Sequence, residues 1–247
     1  MPLGLKGKIM KILAIGNSFS QDAFRYLHGV ARSEGVRIDT LNLYIGGCSL
    51  RTHYVNMLDD RFDYSAEFNG ATTYLKTSIG AALKSAEWDI VSLQQVSNLS
   101  PKYNSYTPYI ERLADYVREC CPKAKIYIHQ TWAYEEGSKR LIEEMKYEHS
   151  TEMYDGIADA YGKAAKAVDA VGIIRNGEAM IKAQELGLKL HRDTYHASLG
   201  VGRYLLALNW FKALTGKDIS NNRFDAFDEE VSEEERELAI KAVNSLY

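Results

Sequence analysis

The chain alternates between apolar runs that predict buried strands and stretches that have the apolar spacing of helices. Near its start, the run Ile12-Leu-Ala-Ile15 predicts a strand, and Gly16-Asn17-Ser18 interrupts it sharply. From residue 21 to residue 33, apolar side chains recur at the spacing of one helix face. The chain therefore opens with a strand, a tight turn and a helix.

Strands and helices continue to alternate along the rest of the chain. Further strands are predicted at residues 36–44, 88–93, 125–129 and 171–174, and further helices at residues 77–86, 109–119, 151–170, 181–188, 199–214 and 232–247. The Asn69-Gly70 pair predicts the turn of a small hairpin beside the main sheet, with strands at residues 64–68 and 71–75. The polar stretch that ends near His149 predicts a lid or an irregular helix. This order indicates an α/β fold whose parallel sheet is covered by helices on both faces.

One domain spanning residues 1–247 is predicted, because no linker, low-complexity tract or internal repeat divides the chain. Residues 1–9 have the features of a leader or an expression remnant, with Met10 as an alternative start. They contain no long apolar stretch, so a cytoplasmic location is predicted unless a secretory signal was removed earlier. Residues 217–247 are predicted to form an acidic, helical C-terminal extension.

Composition excludes several classes of function. The net charge is −3, and Lys and Arg are scattered among acidic residues, so no basic surface for nucleic acid is expected. No apolar run approaches the length of a membrane span. Cys48, Cys120 and Cys121 lack the spacing of a metal site, and their odd number argues against a disulfide framework, so free thiols are predicted. Neither a metal nor another cofactor is expected, and the oligomeric state stays open.

Three polar features follow predicted strands, and the carboxyl ends of parallel strands share one edge of a sheet. These are Ser18, the Gly46-Gly47 pair and the Gln94-Gln95 pair. A fourth feature, Asp193-Thr-Tyr-His196, stands in a late polar turn just before an apolar helix. A serine nucleophile needs a base, an acceptor that orients the base, and donors for the developing oxyanion. These four features can supply all of them.

Each of these features also has an ordinary structural interpretation. Asn17 and Ser18 are residue types that cap helices, and Asp193 and His196 could be a helix-capping pair. A glycine pair often serves a turn alone.

The arrangement resembles the SGNH, or GDSL-like, hydrolase superfamily, and within it a bacterial branch whose first block is Gly-Asn-Ser-Phe-Ser. The stretch from Gly16 to Ser20 is similar to the superfamily's first block, Gly-Asp-Ser-Leu-Ser, with Asn for Asp and Phe for Leu. Gly47 matches the glycine of the second block, and Asp193-Thr-Tyr-His196 matches the last block. The blocks keep the family's order. The resemblance implies a flavodoxin-like three-layer α/β/α sandwich with a central parallel sheet of about five strands.

The resemblance also implies roles for individual residues. Ser18 would be the nucleophile, His196 the general base and then the acid, and Asp193 the residue that orients the imidazole. The backbone N–H groups of Ser18 and Gly47 would form the oxyanion hole together with a side-chain amide.

The third block of the superfamily, Gly-x-Asn-Asp, is missing from this chain. Leu93-Gln-Gln-Val-Ser-Asn98 stands in its place. Gln94 is the first choice for the oxyanion amide, because glutamine carries the same N–H donor as asparagine on a longer arm. Gln95 and Asn98 remain alternatives.

Four residues are candidates for the wall of the pocket: Asn17, Gln95, Trp132 and Tyr195. Trp132, like Tyr134, could line a pocket or simply pack. His129 is expected to be a buried core histidine, with a place in the site as the alternative.

The function implied by the resemblance is that of a serine esterase for small acyl esters, above all acetyl groups on carbohydrates. The expected partner is a small-molecule or carbohydrate ester. A lysophospholipase, a thioesterase or an acyltransferase on the same site remains an alternative. A catalytically silent carbohydrate-binding relative is the alternative of another class, and the retention of Ser18, Asp193 and His196 argues against it.

Overall fold

A computed structural model describes residues 8–247, and most of the predicted leader, residues 1–9, lies outside them. In the described part of the chain, seven strands form one sheet in the order β4-β3-β2-β1-β5-β6-β7. The strands are β1 (Met10–Gly16), β2 (Ile38–Tyr44), β3 (Tyr64–Phe68), β4 (Ala71–Thr77), β5 (Ile90–Leu93), β6 (Lys125–His129) and β7 (Gly172–Ile174). Strands β2, β1, β5, β6 and β7 are parallel to one another. Strands β3 and β4 extend the sheet beyond β2 in antiparallel pairing.

Helices cover the sheet on both faces, as the predicted three-layer fold requires. They are α1 (Ser18–Phe24), α2 (Leu27–Ser33), α3 (Leu50–Leu58), α4 (Ile79–Lys84), α5 (Tyr109–Cys120), α6 (Ser150–Ala167), α7 (Asn176–Glu185), α8 (Val201–Thr215) and α9 (Glu233–Asn244). A short π-helical turn, Arg140–Glu144, occupies the region where an irregular helix or lid was predicted. Helices α1, α2, α7 and α9 all pack against α8, while α3 and α4 pack against α5.

The central strands are apolar because both of their faces are covered. Ile12 and Leu13 in β1 and Val91 in β5 have no exposed surface. Helix α8 is apolar around most of its circumference, since it lies between the sheet and α9. Helix α9 in turn buries Ala239 and Val243, so the acidic C-terminal extension is packed onto the core.

The strand register brings the ends of three parallel strands into line. Gly16 in β1 lies opposite Tyr44 in β2, and Ile15 lies opposite Leu93 in β5. The segments that follow these strands therefore start side by side at the carboxyl edge of the sheet, which is where open α/β folds place their ligands.

One detail of the predicted fold is wrong. The helix predicted at residues 21–33 is divided into α1 and α2, and the break lies at Tyr26, whose φ of −114° departs from the helical value. The Tyr26 hydroxyl donates to the Leu199 carbonyl, and the Arg25 guanidinium donates to Asp228. The parallel part of the sheet has five strands, as predicted, and the predicted hairpin forms at its β2 edge, which brings the whole sheet to seven strands.

Within residues 8–247, no helix combines the length and the apolar character that crossing a bilayer requires.

Candidate active site

The turn between β1 and α1 exposes the hydroxyl of Ser18 at the first position of a helix. Asn17 caps this helix, since its Oδ1 accepts a hydrogen bond from the Phe19 N–H at 3.0 Å. Gly16 has to be a glycine, because a Cβ at this position would collide with the side chain of Ser20. The ordinary cap and the candidate nucleophile are thus two adjacent residues of one turn.

Ser18, His196 and Asp193 form a hydrogen-bonded chain. Ser18 Oγ lies 2.8 Å from His196 Nε2, and His196 Nδ1 lies 2.7 Å from Asp193 Oδ2. With Nδ1–H donating to the carboxylate, Nε2 is free to accept the Ser18 proton. The backbone N–H of His196 also donates to Asp193 Oδ1 at 2.9 Å, which fixes the carboxylate relative to the ring.

The carboxylate of Asp193 is held in its ionised form. Burial raises the pKa of Asp193, but the hydrogen bonds from the His196 ring and backbone N–H outweigh it, so the pKa lies below its usual value. An ionised carboxylate beside Nδ1 stabilises the imidazolium that forms when His196 takes a proton.

The loop that carries Asp193 and His196 is tied to α1 by a buried carboxylate. Asp22, which is fully buried, accepts hydrogen bonds from Arg192 and from the backbone N–H of Ala197. Arg203 at the start of α8 donates to the same carboxylate at 2.9 Å. Helix α1 and the loop that carries His196 are therefore joined within one turn of Ser18 and one residue of His196.

The glycine loop after β2 is tied to the same turn. Asn17 Nδ2 donates to the carbonyl of Cys48 at 3.0 Å. Gly47 has a φ of +64°, a conformation that glycine adopts without strain, and both Gly46 and Gly47 line the cleft above Ser18. Within residues 8–247, the backbone N–H groups of Ser18 and Gly47 have no protein hydrogen-bond partner.

Neither glutamine of the Gln94-Gln95 pair reaches the cleft. Gln94 is buried, and its Nε2 donates to Asn17 Oδ1 at 2.7 Å, behind the nucleophile turn. Gln95 is buried too, where its Oε1 accepts from the Leu50 N–H and its Nε2 donates to Ser105. The prediction of Gln94 as the oxyanion amide, and of Gln95 as a pocket residue, therefore does not fit their places in the structure.

The amide that does face the cleft is Asn98. It is exposed, it lines the cleft, and its side chain makes no hydrogen bond to the described residues. The chain crosses the edge of the sheet between residues 94 and 98. Gln94 is therefore buried, whereas Asn98, four residues later, is exposed.

A cleft of about 450 Å³ lies above Ser18, within the size range of small-ligand sites. Its lining combines aromatic rings, hydroxyls, amides and one pair of opposite charges. The lining residues are Asn17, Ser18, Phe19, Tyr44, Gly46, Gly47, Val96, Ser97, Asn98, Tyr134, Arg140, Glu144, Tyr195 and His196. Of the four pocket candidates, Asn17 and Tyr195 are among them, whereas Gln95 and Trp132 are not.

Trp132 supports the cleft from behind. It is fully buried, its ring centroid lies 4.2 Å from that of Phe19, and its Nε1–H donates to the Tyr195 carbonyl at 2.8 Å. His129 is a buried core histidine, whose Nε2 pairs with the Asn176 amide away from the cleft. Trp132 thus supports the loop that carries Tyr195 and His196 without lining the cleft.

Sequence reasoning missed Tyr44, Ser97, Arg140 and Glu144 as cleft residues. Tyr44 ends a predicted strand beside the glycine loop, so its position at the sheet edge was a usable signal. Arg140 and Glu144 carry no such signal, because they lie in the irregular π-helical turn, whose path over the site depends on tertiary contacts.

Among residues 8–247, no three His, Cys, Asp or Glu side chains gather as they would around a metal ion. Cys48, Cys120 and Cys121 are free thiols, as predicted.

The fold is shared with solved structures of SGNH hydrolases and esterases, as the predicted three-layer fold requires. The chain is similar to the "putative SGNH hydrolase" from Slackia heliotrinireducens, with 22% identity, a TM-score of 0.60, and coverage of 84% of this chain and 100% of that chain. It is also similar to Axe2, an acetylxylan esterase from Geobacillus stearothermophilus, with 17% identity, a TM-score of 0.53, and coverage of 85% and 95%.

The chain belongs to the family described as Domain of unknown function (DUF4886), whose model matches residues 11–245. A DUF4886 family protein from Bacteroides uniformis ATCC 8492 has 35% identity and a TM-score of 0.90, with coverage of 97% of this chain and 96% of that chain. A search of the curated proteins gave no match.

Proposed function

We propose that this protein is a serine esterase in which Ser18 is the nucleophile. The observation that carries the proposal is the unbroken chain of hydrogen bonds from Ser18 Oγ through the His196 ring to Asp193, with distances of 2.8 Å and 2.7 Å. A serine that served only as a helix cap would need no such partners.

In the first half of the reaction, Ser18 Oγ attacks the ester carbonyl carbon while His196 Nε2 takes the hydroxyl proton. The tetrahedral intermediate collapses by breaking the bond between the carbonyl carbon and the alcohol oxygen. His196 returns its proton to that oxygen, so the alcohol leaves and the acyl group stays on Ser18. Asp193 keeps Nδ1 protonated throughout and stabilises the transient imidazolium.

In the second half, a water molecule attacks the acyl carbon and gives its proton to His196 Nε2. The bond to Ser18 Oγ then breaks, the serine recovers its proton from His196, and the acid leaves. The reaction needs no group besides water and the side chains of this site.

The oxyanion would be held by three donors at the cleft. The free backbone N–H groups of Ser18 and Gly47 support the first two assignments. For the third donor we propose the Asn98 amide, which lines the cleft without a protein partner, in place of Gln94. Donors that are fixed before reaction stabilise the charge without reorganisation.

Small acyl esters of polar alcohols are the substrate class that the cleft fits best. Hydroxyls, amides and charges alternate with tyrosine rings along it, which suits a carbohydrate, and a lipid chain would need a longer apolar groove. The structural neighbour Axe2, an acetylxylan esterase, agrees with an acetylated sugar. The intact triad hydrogen bonds argue against a silent binding relative.

The test is hydrolysis of a panel of esters, from acetyl to long-chain acyl and including acetylated sugars, by the wild-type protein and Ser18→Ala. We expect turnover of the short esters, which Ser18→Ala loses while keeping its circular dichroism spectrum. Ser220→Ala is the matched control, because Ser220 is exposed and does not line the cleft. Unchanged turnover by Ser18→Ala, or preference for long-chain esters, would reject the proposal or its substrate class.

A further inference from the structure

Arg140 presents a fixed cationic group to the cleft. Its guanidinium carbon lies 4.1 Å from the centre of the Tyr195 ring and 6.0 Å from that of Tyr134. Stacking on an aromatic face holds the planar guanidinium in place while leaving its N–H groups free at the edge. The side chain is 37% exposed, so it is partly shielded but still open to a ligand.

Most of the hydrogen-bonding capacity of this guanidinium is unused by the described residues. The Tyr134 hydroxyl lies within reach of one of its N–H groups, and the carboxylate of Glu144 lies 3.9 Å from Nε. That separation exceeds a hydrogen bond, and the Glu144 side chain is 63% exposed. Among the described cleft residues, Arg140 is the only Arg or Lys. A pre-oriented fork that keeps free N–H donors is well suited to bind a carboxylate through two parallel hydrogen bonds.

The position of Arg140 relative to the triad fits a substrate group at the far end of the cleft. The Tyr195 ring on which Arg140 stacks has its centre 3.9 Å from the centre of the His196 ring. Arg140 is therefore separated from the base by one aromatic ring. A molecule whose ester carbonyl lies on Ser18 spans this distance with one sugar-sized group, which a cleft of about 450 Å³ accommodates.

We propose that Arg140 recognises a carboxylate on the substrate, so that the preferred esters are acidic ones, such as acetylated sugar acids. This inference rests on the proposed esterase function and names the substrate class of that site. Glu144 opposes the recognition, because its negative charge lies beside the same guanidinium and repels an incoming carboxylate. The two side chains therefore have effects of opposite sign on one selectivity.

The measurement is a selectivity ratio, the kcat/KM for an acidic ester divided by that for its neutral counterpart. One pair varies the alcohol, acetylated glucuronic acid against acetylated glucose. The other varies the acyl group, an aryl hemisuccinate against the aryl butyrate. The pair with the larger ratio tells whether the carboxylate belongs to the alcohol or to the acyl side.

We expect Arg140→Gln to lower the ratio about tenfold or more, since a charge-assisted bidentate contact is lost. Arg140→Lys should give an intermediate ratio, because it keeps the charge without the planar fork. Glu144→Gln should raise the ratio about two- to threefold. Arg112→Gln is the matched control on the exposed face of α5 and should leave the ratio at the wild-type value.

An equal loss on acidic and neutral esters in Arg140→Gln would overturn the inference, since it would mean that Arg140 only positions Tyr195. A wild-type ratio near one, unchanged in Arg140→Gln, would overturn it as well. If the wild-type protein hydrolysed none of these esters, the esterase proposal would fail, and binding of glucuronic acid against glucose to Ser18→Ala would then decide the inference. Tighter binding of glucuronic acid than of glucose, with the difference lost in the double variant Ser18→Ala/Arg140→Gln, would support the inference. Equal binding of the two sugars by Ser18→Ala would reject it.

Discussion

Arg192 Nη1 lies 2.9 Å and 3.0 Å from the two carboxylate oxygens of Asp22, and this contact joins α1 to the loop that carries Asp193 and His196. Asp22 comes one helical turn after Ser18, and Arg192 precedes Asp193 in the chain. Two segments that are far apart in sequence are thus held together beside the proposed catalytic residues. We therefore expect this contact to help hold Ser18 and His196 within hydrogen-bond distance.

Removing the Asp22 carboxylate should destabilise the protein strongly. Asp22→Ala leaves the Arg192 and Arg203 guanidinium groups without their buried partner, and we expect the free energy of unfolding in urea to fall by about 3–5 kcal/mol. Asp228→Ala is the matched control, because Asp228 also binds Arg203 but its side chain is 26% exposed. Its loss should cost about 1 kcal/mol or less. Equal effects of the two variants would show that Asp22 has no special structural role.

Asn17 is needed as an amide, because it both accepts and donates. Asn17→Asp keeps the cap to the Phe19 N–H but places a carboxylate oxygen against the Cys48 carbonyl, where Nδ2 now donates at 3.0 Å. The glycine loop should then move away from Ser18, and kcat should fall about ten- to a hundredfold. Steady-state kinetics on an aryl acetate measures this, with KM expected to change less than kcat. A variant with wild-type kcat would contradict the proposed role of the loop.

The Asn98 amide should matter more than that of Gln94 for the charge on the oxyanion. Asn98→Ala removes a donor at the cleft, and we expect kcat to fall about a hundred- to a thousandfold without loss of stability. Asn98→Asp, which keeps the size but replaces the donor, should be as slow. If Asn98→Ala kept its kcat, the third donor would have to be sought elsewhere.

Acid should destabilise the protein well before its carboxylates are protonated. Burial lowers the pKa of His53 and His129 to about 3, below the ordinary value of about 6.5. Between these two values the unfolded chain binds protons that the folded chain does not, so stability falls as the pH falls below about 6.5. Each histidine contributes up to about 1.4 kcal/mol per pH unit.

Urea unfolding at intervals of about one pH unit, from about pH 7.5 to about 4.5, checks this slope. Burial also lowers the pKa of His191, to about 4. His53→Gln therefore removes one of three titrating histidines and should flatten the slope. Asp193 does not interfere, because its lowered pKa confines its effect to more acidic pH. A urea midpoint that stayed constant down to about pH 4.5 would contradict the prediction.

The features that could be predicted from the sequence are the local ones. The strand and turn that present Ser18 follow from an apolar run broken by Gly16-Asn17, and the carboxyl ends of parallel strands necessarily share an edge. Asp193 and His196 could be paired because they are three positions apart in one turn. Periodicity and turn chemistry carry this information within a few residues of each position.

What could not be predicted depends on contacts between distant parts of the chain. At the break between α1 and α2, the Tyr26 hydroxyl donates to the Leu199 carbonyl, a contact that no local pattern records. Gln94 and Asn98 are both amides after one strand, and only the path of the loop buries the first and exposes the second. The guanidinium of Arg140 lies in the cleft, where it stacks on the Tyr195 ring. Its position therefore depends on two segments that are distant in sequence.

The most direct test of the account is whether Ser18 itself carries the reaction. The protein is treated with a fluorophosphonate probe while hydrolysis of an aryl acetate is followed, and the labelled peptide is identified by mass spectrometry. We expect one label per chain on Ser18, a loss of turnover in proportion to labelling, and far slower labelling of His196→Gln, in which the base is absent. Labelling at another residue, or full turnover after Ser18 has been completely labelled, would contradict it.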